Sequence, residues 1–142
     1  MKELLLPVTF ILVLGACSGG PGGVARGKLA PCPSSPNCVS TQATDPEHAI
    51  ASYPYRGSRA DTRNRLLRVI EDQPRTRVST STDTYLHVEF RSKVWRFVDD
   101  VEFVFDDTTQ SVQYRSASRL GYSDLGVNRR RMETLRRLYM EQ

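Results

Sequence analysis

Apolar and more polar side chains alternate along the middle of the chain, which is the pattern of β-strands with one buried face. Between residues 85 and 91, Leu86, Val88 and Phe90 occupy every second position. Strand character extends over four runs: residues 77–81, 85–91, 94–106 with an interruption expected around 98–100, and 112–118. The short connections between these runs predict an antiparallel meander.

Two of these runs also predict their own register. Folding the chain about a turn near residues 108 and 109 gives three cross-strand pairs: Phe103 with Tyr114, Phe105 with Val112, and Glu102 with Arg115. Apolar side chains then share one face of the sheet, and opposite charges share the other. The pattern favours this register because a slip by one residue would put Arg115 among the phenylalanines.

Helical patterns lie on both sides of the strands. Ser58 and Asp61 have the spacing of a capping box, and an apolar stripe over residues 66–70 follows them. A second helix is expected to begin near Asp124 or Asn128 and to run to the end of the chain. Its apolar positions recur at approximately helical spacing: Val127, Met132, Leu135, Leu138 and Tyr139.

Together these elements predict an α+β fold. We expect an antiparallel β-meander of four or five strands packed with two helices, one before the sheet and one C-terminal. The C-terminal helix is expected to cover one face of the sheet. From residue 28 to about residue 52 the chain is rich in Pro, Ser and Thr, which predicts an irregular lead-in to this domain.

The N-terminus has the features of an export signal. Residues 4–14 are almost entirely apolar and follow Lys2, but the stretch is too short for a membrane span, which needs about 20 apolar residues. Small residues precede Cys17 in Leu-Gly-Ala-Cys, which resembles a bacterial lipoprotein signal. We therefore expect residues 1–16 to be removed and Cys17 to carry lipid. The alternative is an ordinary signal peptide cleaved near Ala16.

The residues after Cys17 predict how the domain is held. Residues 18–23 are Ser, Pro and Gly, the composition of a flexible tether, so the chain divides into a signal (1–16), a tether (17–27) and one globular domain (28–142). Ser18 beside the lipid-bearing cysteine resembles sorting to the outer membrane. The expected location is the periplasmic face of that membrane, where the bacterium has one.

Cys32 and Cys38 remain as a pair once Cys17 is lipidated. In an exported protein an even number of cysteines predicts a disulfide, here a local one across a short proline-containing segment. The alternative is a zinc site, which would have to recruit His48 and His87. That alternative lacks a second cysteine pair, so no metal is assigned.

Charge narrows the classes of partner. The formal net charge is +4, and nearly all of the basic residues are arginines. Because acids interleave with these arginines and the anchor lies outside the cytoplasm, we expect no nucleic-acid partner. The expected partners are the membrane, through the lipid, and an envelope protein or a small anionic ligand. No cofactor is expected.

Asp99 is the unusual residue of the third strand run. Strict alternation puts its carboxylate on the apolar face, where an unpaired charge is costly. Arg119 or an arginine of the final helix would supply a partner, or the interruption around residues 98–100 would turn Asp99 outward. His87, on the polar face of its strand, lies within reach of acidic neighbours.

A wider set of polar residues surrounds this position. The set forms either a ligand site or a structural ion-pair network: Asp99, Asp100, Glu102, Arg115, Ser118, Arg119, Asp124, Asn128 and Arg130. The start of the final helix would add free N–H groups suited to an anion. An acidic cluster that includes Asp106 and Asp107 suggests a hard cation, but it lacks the ligand spacing of a known calcium loop.

Three segments carry a resemblance to a known family: SPNCVS at residues 35–40, FVDDVEF at 97–103 and RSASRLGYSDLGVNRRR at 115–131. In this order they resemble an uncharacterised bacterial and plastid family catalogued as domain of unknown function 1499, here in lipoprotein form. The resemblance covers roughly residue 29 to the end of the chain. It implies membership of the family and no particular reaction.

Three hypotheses about function follow. The preferred one is a non-enzymatic envelope module whose Arg/Asp-rich loop face binds a partner or a small anion. The first alternative is a hydrolase or transferase that uses Asp99, Asp100 or Glu102 with an arginine clamp. The second is a structural scaffold in an envelope assembly. No catalytic residue is assigned, because neither histidine has a Ser or Cys partner at diagnostic spacing.

Overall fold

A computed structural model describes residues 20–142 of the chain. The expected signal peptide, Cys17 and the first residues of the tether lie outside this range. The strands are β1 (Val24–Ala25), β2 (Lys28–Leu29), β3 (Cys38–Ser40), β4 (Tyr53–Pro54), β5 (Thr76–Ser81), β6 (Tyr85–Arg91), β7 (Val98–Asp106) and β8 (Ser111–Ser118). The helices are α1 (Arg59–Glu71) and α2 (Val127–Glu141).

The main sheet is antiparallel and has six strands, in the order β3-β8-β7-β6-β5, with β4 also pairing with β8. The α+β fold is therefore confirmed, with more strands than the four or five expected. The additional strands are short pieces of the lead-in, where composition gave no strand pattern. They pair with successive parts of β8, at Ala117 for β3 and at Val112 for β4.

The hairpin of β7 and β8 has the predicted register. All three expected pairs are present: Phe103 with Tyr114, Phe105 with Val112, and Glu102 with Arg115. The expected interruption around residues 98–100 is wrong, because these residues belong to β7 and pair with β6 and β8. The break lies at residues 92–97, where the amide of Ser92 donates to the carbonyl of Phe97 and closes a hairpin loop (2.9 Å).

At the start of both helices, nearby side-chain oxygens accept backbone amides. Ser58 and Asp61 form the predicted capping box of α1. For α2, the carboxylate of Asp124 accepts the amides of Gly126 and Asn128, at 2.8 and 2.7 Å. Gly126 has a φ of 76°, a left-handed conformation that glycine adopts at little cost and that lets the loop turn into the helix. No helix within residues 20–142 is long and apolar enough to cross a membrane.

The helices pack on one face of the sheet and bury its apolar side chains. Three tyrosines stand at the centre of this core, with ring centroids 4.8 Å apart for Tyr53 and Tyr114 and 5.7 Å apart for Tyr53 and Tyr139. Each hydroxyl donates to a backbone carbonyl; that of Tyr53 reaches Met132 in α2 (2.6 Å). The core therefore joins both helices and the sheet without leaving these polar tips unsatisfied.

The other face of the sheet is crossed by the small hairpin of β1 and β2. The amides of Gly22 and Gly23 donate to the carboxylate of Glu102, at 3.0 and 2.7 Å. The flexible tether expected over residues 17–27 is thus too long. Its Gly22 and Gly23 are bound to the sheet, because a carboxylate about 80 residues away accepts their amides. The predicted disulfide between Cys32 and Cys38 is present, with a Cα–Cα distance of 5.7 Å.

Candidate functional site

The residues of the predicted network lie on both faces of the sheet. Asp99 and Asp100 are consecutive in β7, so their side chains point in opposite directions. The helix-covered side holds Asp99, Ser118, Asp124 and Asn128, and the opposite face holds Asp100, Glu102, Arg115 and Arg119. The predicted residues therefore form two clusters rather than one. Arg130 joins neither, because its Nη1 donates to the carbonyl of Leu125 (2.8 Å).

Asn128 is the centre of the cluster under α2. It is fully buried, and its Nδ2 donates to the carbonyl of Asn37, to Ser118 Oγ and to Asp124 Oδ2, at 3.1, 3.0 and 2.8 Å. Its Oδ1 accepts a hydrogen bond from Ser116 Oγ (2.5 Å). One side chain thus joins the lead-in, the end of β8 and the first turn of α2.

Asp99 has the arginine partner that the sequence demanded, and it comes from the final helix. Arg131 Nη2 binds Asp99 Oδ2, and Arg131 Nη1 donates to Asn128 Oδ1 (2.7 Å). The guanidinium also lies over the ring of Phe90, 4.8 Å from its centroid, a favourable cation–π position. The sequence left two candidates for this partner, Arg119 or an arginine of the final helix. The structure has the second, Arg131.

On the opposite face, charged and polar side chains form a second cluster, which we call the ionic face. Its members are Tyr85, His87, Glu89, Asp100, Glu102, Arg115 and Arg119. Arg119 binds both oxygens of Asp100, through Nε and Nη2 at 2.7 Å each, and Nη2 also binds Glu89 at 2.7 Å. His87 Nε2 lies 2.7 Å from Asp100 Oδ1, as its place on the polar face suggested.

These contacts set the ionisation of the ionic face. Burial raises the pKa of Asp100, but the hydrogen bonds from Arg119 and His87 outweigh it, and the pKa lies below its ordinary value. The hydrogen bond from Arg119 likewise lowers the pKa of Glu89. In return, the bond to Asp100 raises the pKa of Arg119. These groups are therefore held in their charged forms as a structural salt-bridge set.

Glu102 is fully buried on the same face, where hydrogen-bond donors surround its carboxyl group. Besides the amides of Gly22 and Gly23, its Oε1 accepts the hydroxyl of Tyr85 (2.7 Å), and Arg115 Nη1 lies 3.5 Å from Oε2. Burial followed by this hydrogen bond raises the pKa of Tyr85, so the phenol stays a donor. Glu102 is thus the residue that binds the N-terminal hairpin to the sheet.

A third polar region is a cleft of about 390 Å³ between the ends of β5 and β6 and the first turns of α2. We call it the arginine cleft, because its charged lining residues are four arginines and one acid: Arg75, Arg91, Arg130, Arg131 and Asp99. Ser92 and Thr134 add hydroxyl groups. A cleft of about 420 Å³ beside the disulfide differs in charge, since Lys28 and Asp45 balance each other there.

The arginines of this cleft make few bonds to the protein. Arg75 Nε donates to the carbonyl of Arg91 (3.2 Å), and Arg91 Nη2 donates to Glu89 (3.2 Å). Among the described residues, Arg130 bonds only to Leu125, and Arg131 is the one arginine held by a carboxylate of the cleft. Within residues 20–142, the remaining N–H groups of Arg75, Arg91 and Arg130 have no protein acceptor.

Sequence reasoning missed several of these residues. Glu89 had a usable signal, because continuing the predicted register from β7 to β6 puts it opposite Asp100. Arg75 and Arg91 had none, since they meet α2 only through the tertiary fold. Asn37 lies within the motif at residues 35–40, yet its bond to Asn128 spans 91 positions. Within residues 20–142, no group of three or more His, Cys, Asp or Glu side chains is arranged to hold a metal ion.

The fold and these sites define a small α+β domain with a salt-bridged sheet face and an arginine-lined cleft beside its C-terminal helix. The chain belongs to the family described as "Protein of unknown function (DUF1499)", whose model matches residues 28–138. This confirms the resemblance of its three motifs. No curated protein and no solved structure matches the chain.

Proposed function

We propose that this protein is a non-enzymatic, lipid-anchored module of the cell envelope that binds a small oxyanion of the phosphate class in the arginine cleft. The observation that carries the proposal is the charge imbalance of the cleft: four arginines face one carboxylate. Guanidinium groups present pairs of N–H donors that match the oxygens of phosphate. Such a surface favours an anionic ligand.

The ionic face supports this choice by contrast. Its acids Glu89, Asp100 and Glu102 are bonded to arginine, histidine, tyrosine or backbone donors, which leaves little capacity for a ligand. The same contacts weigh against a hydrolase that uses two carboxylates together. Asp99 and Asp100 lie on opposite faces, and each is bonded to a guanidinium group.

The anchor is proposed on the sequence of the N-terminus. A short apolar stretch, small residues before Cys17 and a disulfide-bonded pair of the remaining cysteines all fit an exported lipoprotein. The mass of the N-terminal peptide from membrane-extracted protein tests this part separately. Acyl chains on Cys17 are expected. An unmodified Cys17 would contradict the anchor but would leave the proposal about ligand binding in the arginine cleft unaffected.

Calorimetric titration with inorganic phosphate tests the cleft. Full-length protein in detergent micelles should bind phosphate, and Arg75→Ala should weaken binding by about tenfold, the effect of losing one charge-assisted hydrogen bond. Arg137→Ala is the matched control, because it removes an equal charge from an exposed pair with Glu141 outside the cleft. Equal affinities for the wild type and both variants would contradict the proposal.

A further inference from the structure

The apolar side chains on the surface are concentrated at one end of the sheet. Nine large hydrophobic residues are exposed within residues 20–142, and seven of them lie in or beside two loops. The seven, which we call the apolar tip, are Val94, Trp95, Phe97, Leu120, Tyr122, Leu125 and Val127. Trp95 and Tyr122 are about three-quarters exposed, at 76% and 75%. Exposed apolar side chains grouped at one end of a domain usually mark an interaction surface.

The two loops are neighbours because of the strand register. Residues 92–97 connect β6 to β7, and residues 119–126 connect β8 to α2. The amide of Arg119 donates to the carbonyl of Val98 (3.0 Å), so the second loop starts where the first one ends. Hydrogen bonds between Ser92 and Phe97 close the first loop, which holds its apolar side chains outward.

The charge of this tip is positive. Lys93 and Arg96 are exposed in the first loop, which contains no acid. In the second loop, Asp124 is bonded to the amides that begin α2. Exposed Trp, Phe, Tyr and Leu side chains next to Lys and Arg are the composition of protein surfaces that sit at the interface of an anionic bilayer.

The tether limits how far the domain can be from a membrane. Glu102 binds the amides of Gly22 and Gly23, and Cys17 is only five residues before Gly22. Five residues span at most about 17 Å, so a lipid on Cys17 keeps the sheet close to the bilayer. Along β7, Val98, which follows Phe97 of the tip, is four residues from Glu102, or roughly 14 Å.

The path of the hairpin brings the tether toward the same end. The carbonyl of Gly23 accepts the amide of Ala30 (3.3 Å), so Gly22 lies beside the segment that continues from Ala30. That segment leads to Asn37, whose Nδ2 donates to the carbonyl of Gly121 in the second loop (2.6 Å). The length of the tether and its position therefore agree with a membrane at the apolar tip.

From these observations we infer that the apolar tip inserts into the headgroup region of the bilayer that holds the lipid anchor, so that the domain lies against the membrane in one orientation. The inference rests on the anchor of the proposed function for its geometry. The surface itself would bind a bilayer containing anionic phospholipid, with Trp95 at the interface and Lys93 and Arg96 beside the headgroups.

Trp95 is the only tryptophan of the chain, so its fluorescence reports on the tip directly. Full-length lipoprotein is reconstituted into vesicles of phosphatidylethanolamine and phosphatidylglycerol, with and without lipids brominated on the acyl chains. Insertion predicts a blue-shifted emission, quenching by the brominated lipid and protection from iodide in water. Emission that is unquenched by bromine and open to iodide overturns the inference.

Two variants sharpen this experiment. Leu120→Asp changes the tip without removing the reporter, and it should abolish the quenching. Met140→Asp makes the same kind of change at an exposed position near the end of α2, and it should leave the quenching intact. Equal quenching in both variants and the wild type also overturns the inference.

Flotation of the same vesicles separates the tip from the anchor. If the wild type floats with the vesicles while Trp95 stays in water, the anchor holds and the tip inference fails. If the protein does not float after a salt wash, yet Trp95 is quenched when vesicles are in excess, the tip inference holds and the anchor fails. Tip-dependent dimers with Trp95 unquenched would assign the patch to a second copy and overturn the inference.

Discussion

The ionic face and the arginine cleft are both rich in arginine, and they meet where Glu89 is bonded to Arg91. They differ in the ratio of charges. On the ionic face, three buried acids contact His87, Arg115 and Arg119, and Glu89 also contacts Arg91 at the border with the cleft. Among the described residues that line the cleft, four arginines stand against one acid. Burial explains the difference, because a charge removed from water needs a partner and a charge at the surface does not.

The comparison shows why arginine content alone is a poor guide to function. Arg119 has its N–H groups occupied by carboxylates, so it stabilises the sheet and offers little to a ligand. Arg75 has an exposed guanidinium, whose only bond to a residue in the range 20–142 is to a backbone carbonyl. The difference between bonded and available donors separates a structural cluster from a binding site.

Arg119→Ala should give the largest effect on stability. Among the described residues, it leaves Asp100, whose side chain is 2% exposed, with the ring of His87 as its remaining side-chain partner. Removing one partner from a buried ion pair costs about 3–5 kcal/mol, and partial exposure of Arg119 favours the lower end. Urea unfolding measures this, with Arg137→Ala as the control at less than about 0.5 kcal/mol. If both variants lose the same unfolding free energy, the ionic face contributes no more to stability than the exposed pair of Arg137 and Glu141.

Acid should destabilise the protein through the ionic face. The pKa values of Asp100 and Glu89 are lowered in the folded protein, while unfolded Asp and Glu titrate near about 3.9 and 4.3. Their contribution is therefore fully present above those values and is lost as the pH falls through the folded pKa values. Unfolding free energies measured from neutral to acid pH should show this fall. In Arg119→Ala the fall should be shallower, and an unchanged slope would assign the acid sensitivity to other groups.

Asp99→Asn should make the net charge of the arginine cleft more positive and so increase its difference from the ionic face. The change removes the one acid among the described residues that line the cleft and releases Arg131 from its ion pair, while the amide oxygen keeps a hydrogen bond. Removing one negative charge near a bound phosphate is worth about 1 kcal/mol in water, or roughly a fivefold tighter Kd. Phosphate titration measures this gain. A weaker Kd would mean that Asp99 positions Arg131 for the ligand rather than opposing it.

The local parts of this fold were predictable, and the contacts between distant segments were not. The capping box of Ser58 and the register of β7 against β8 follow from neighbouring residues, since period and spacing specify them. The choice of Arg131 over Arg130 depends on where α2 begins, because each residue turns the helix by about 100°. The expected start, Asp124 or Asn128, left that choice open.

The hairpin over the ionic face was beyond sequence reasoning for a related reason. Gly22 and Gly23 bind Glu102 through backbone amides, which carry no side-chain signal. Composition therefore predicted a free tether where the structure has a bound one. The cleft also escaped prediction, because Arg75 and Arg130 become neighbours only when α1, the sheet and α2 pack together.

The most direct test of the central claim is an NMR titration with inorganic phosphate that observes the Nε–Hε groups of the arginines in the full-length protein. If the cleft binds the anion, the signals of Arg75, Arg91 and Arg130 shift with one common Kd, and those of Arg115 and Arg119 on the ionic face stay in place. Shifts confined to the ionic face, or small unsaturated shifts spread over all arginines, would contradict the account.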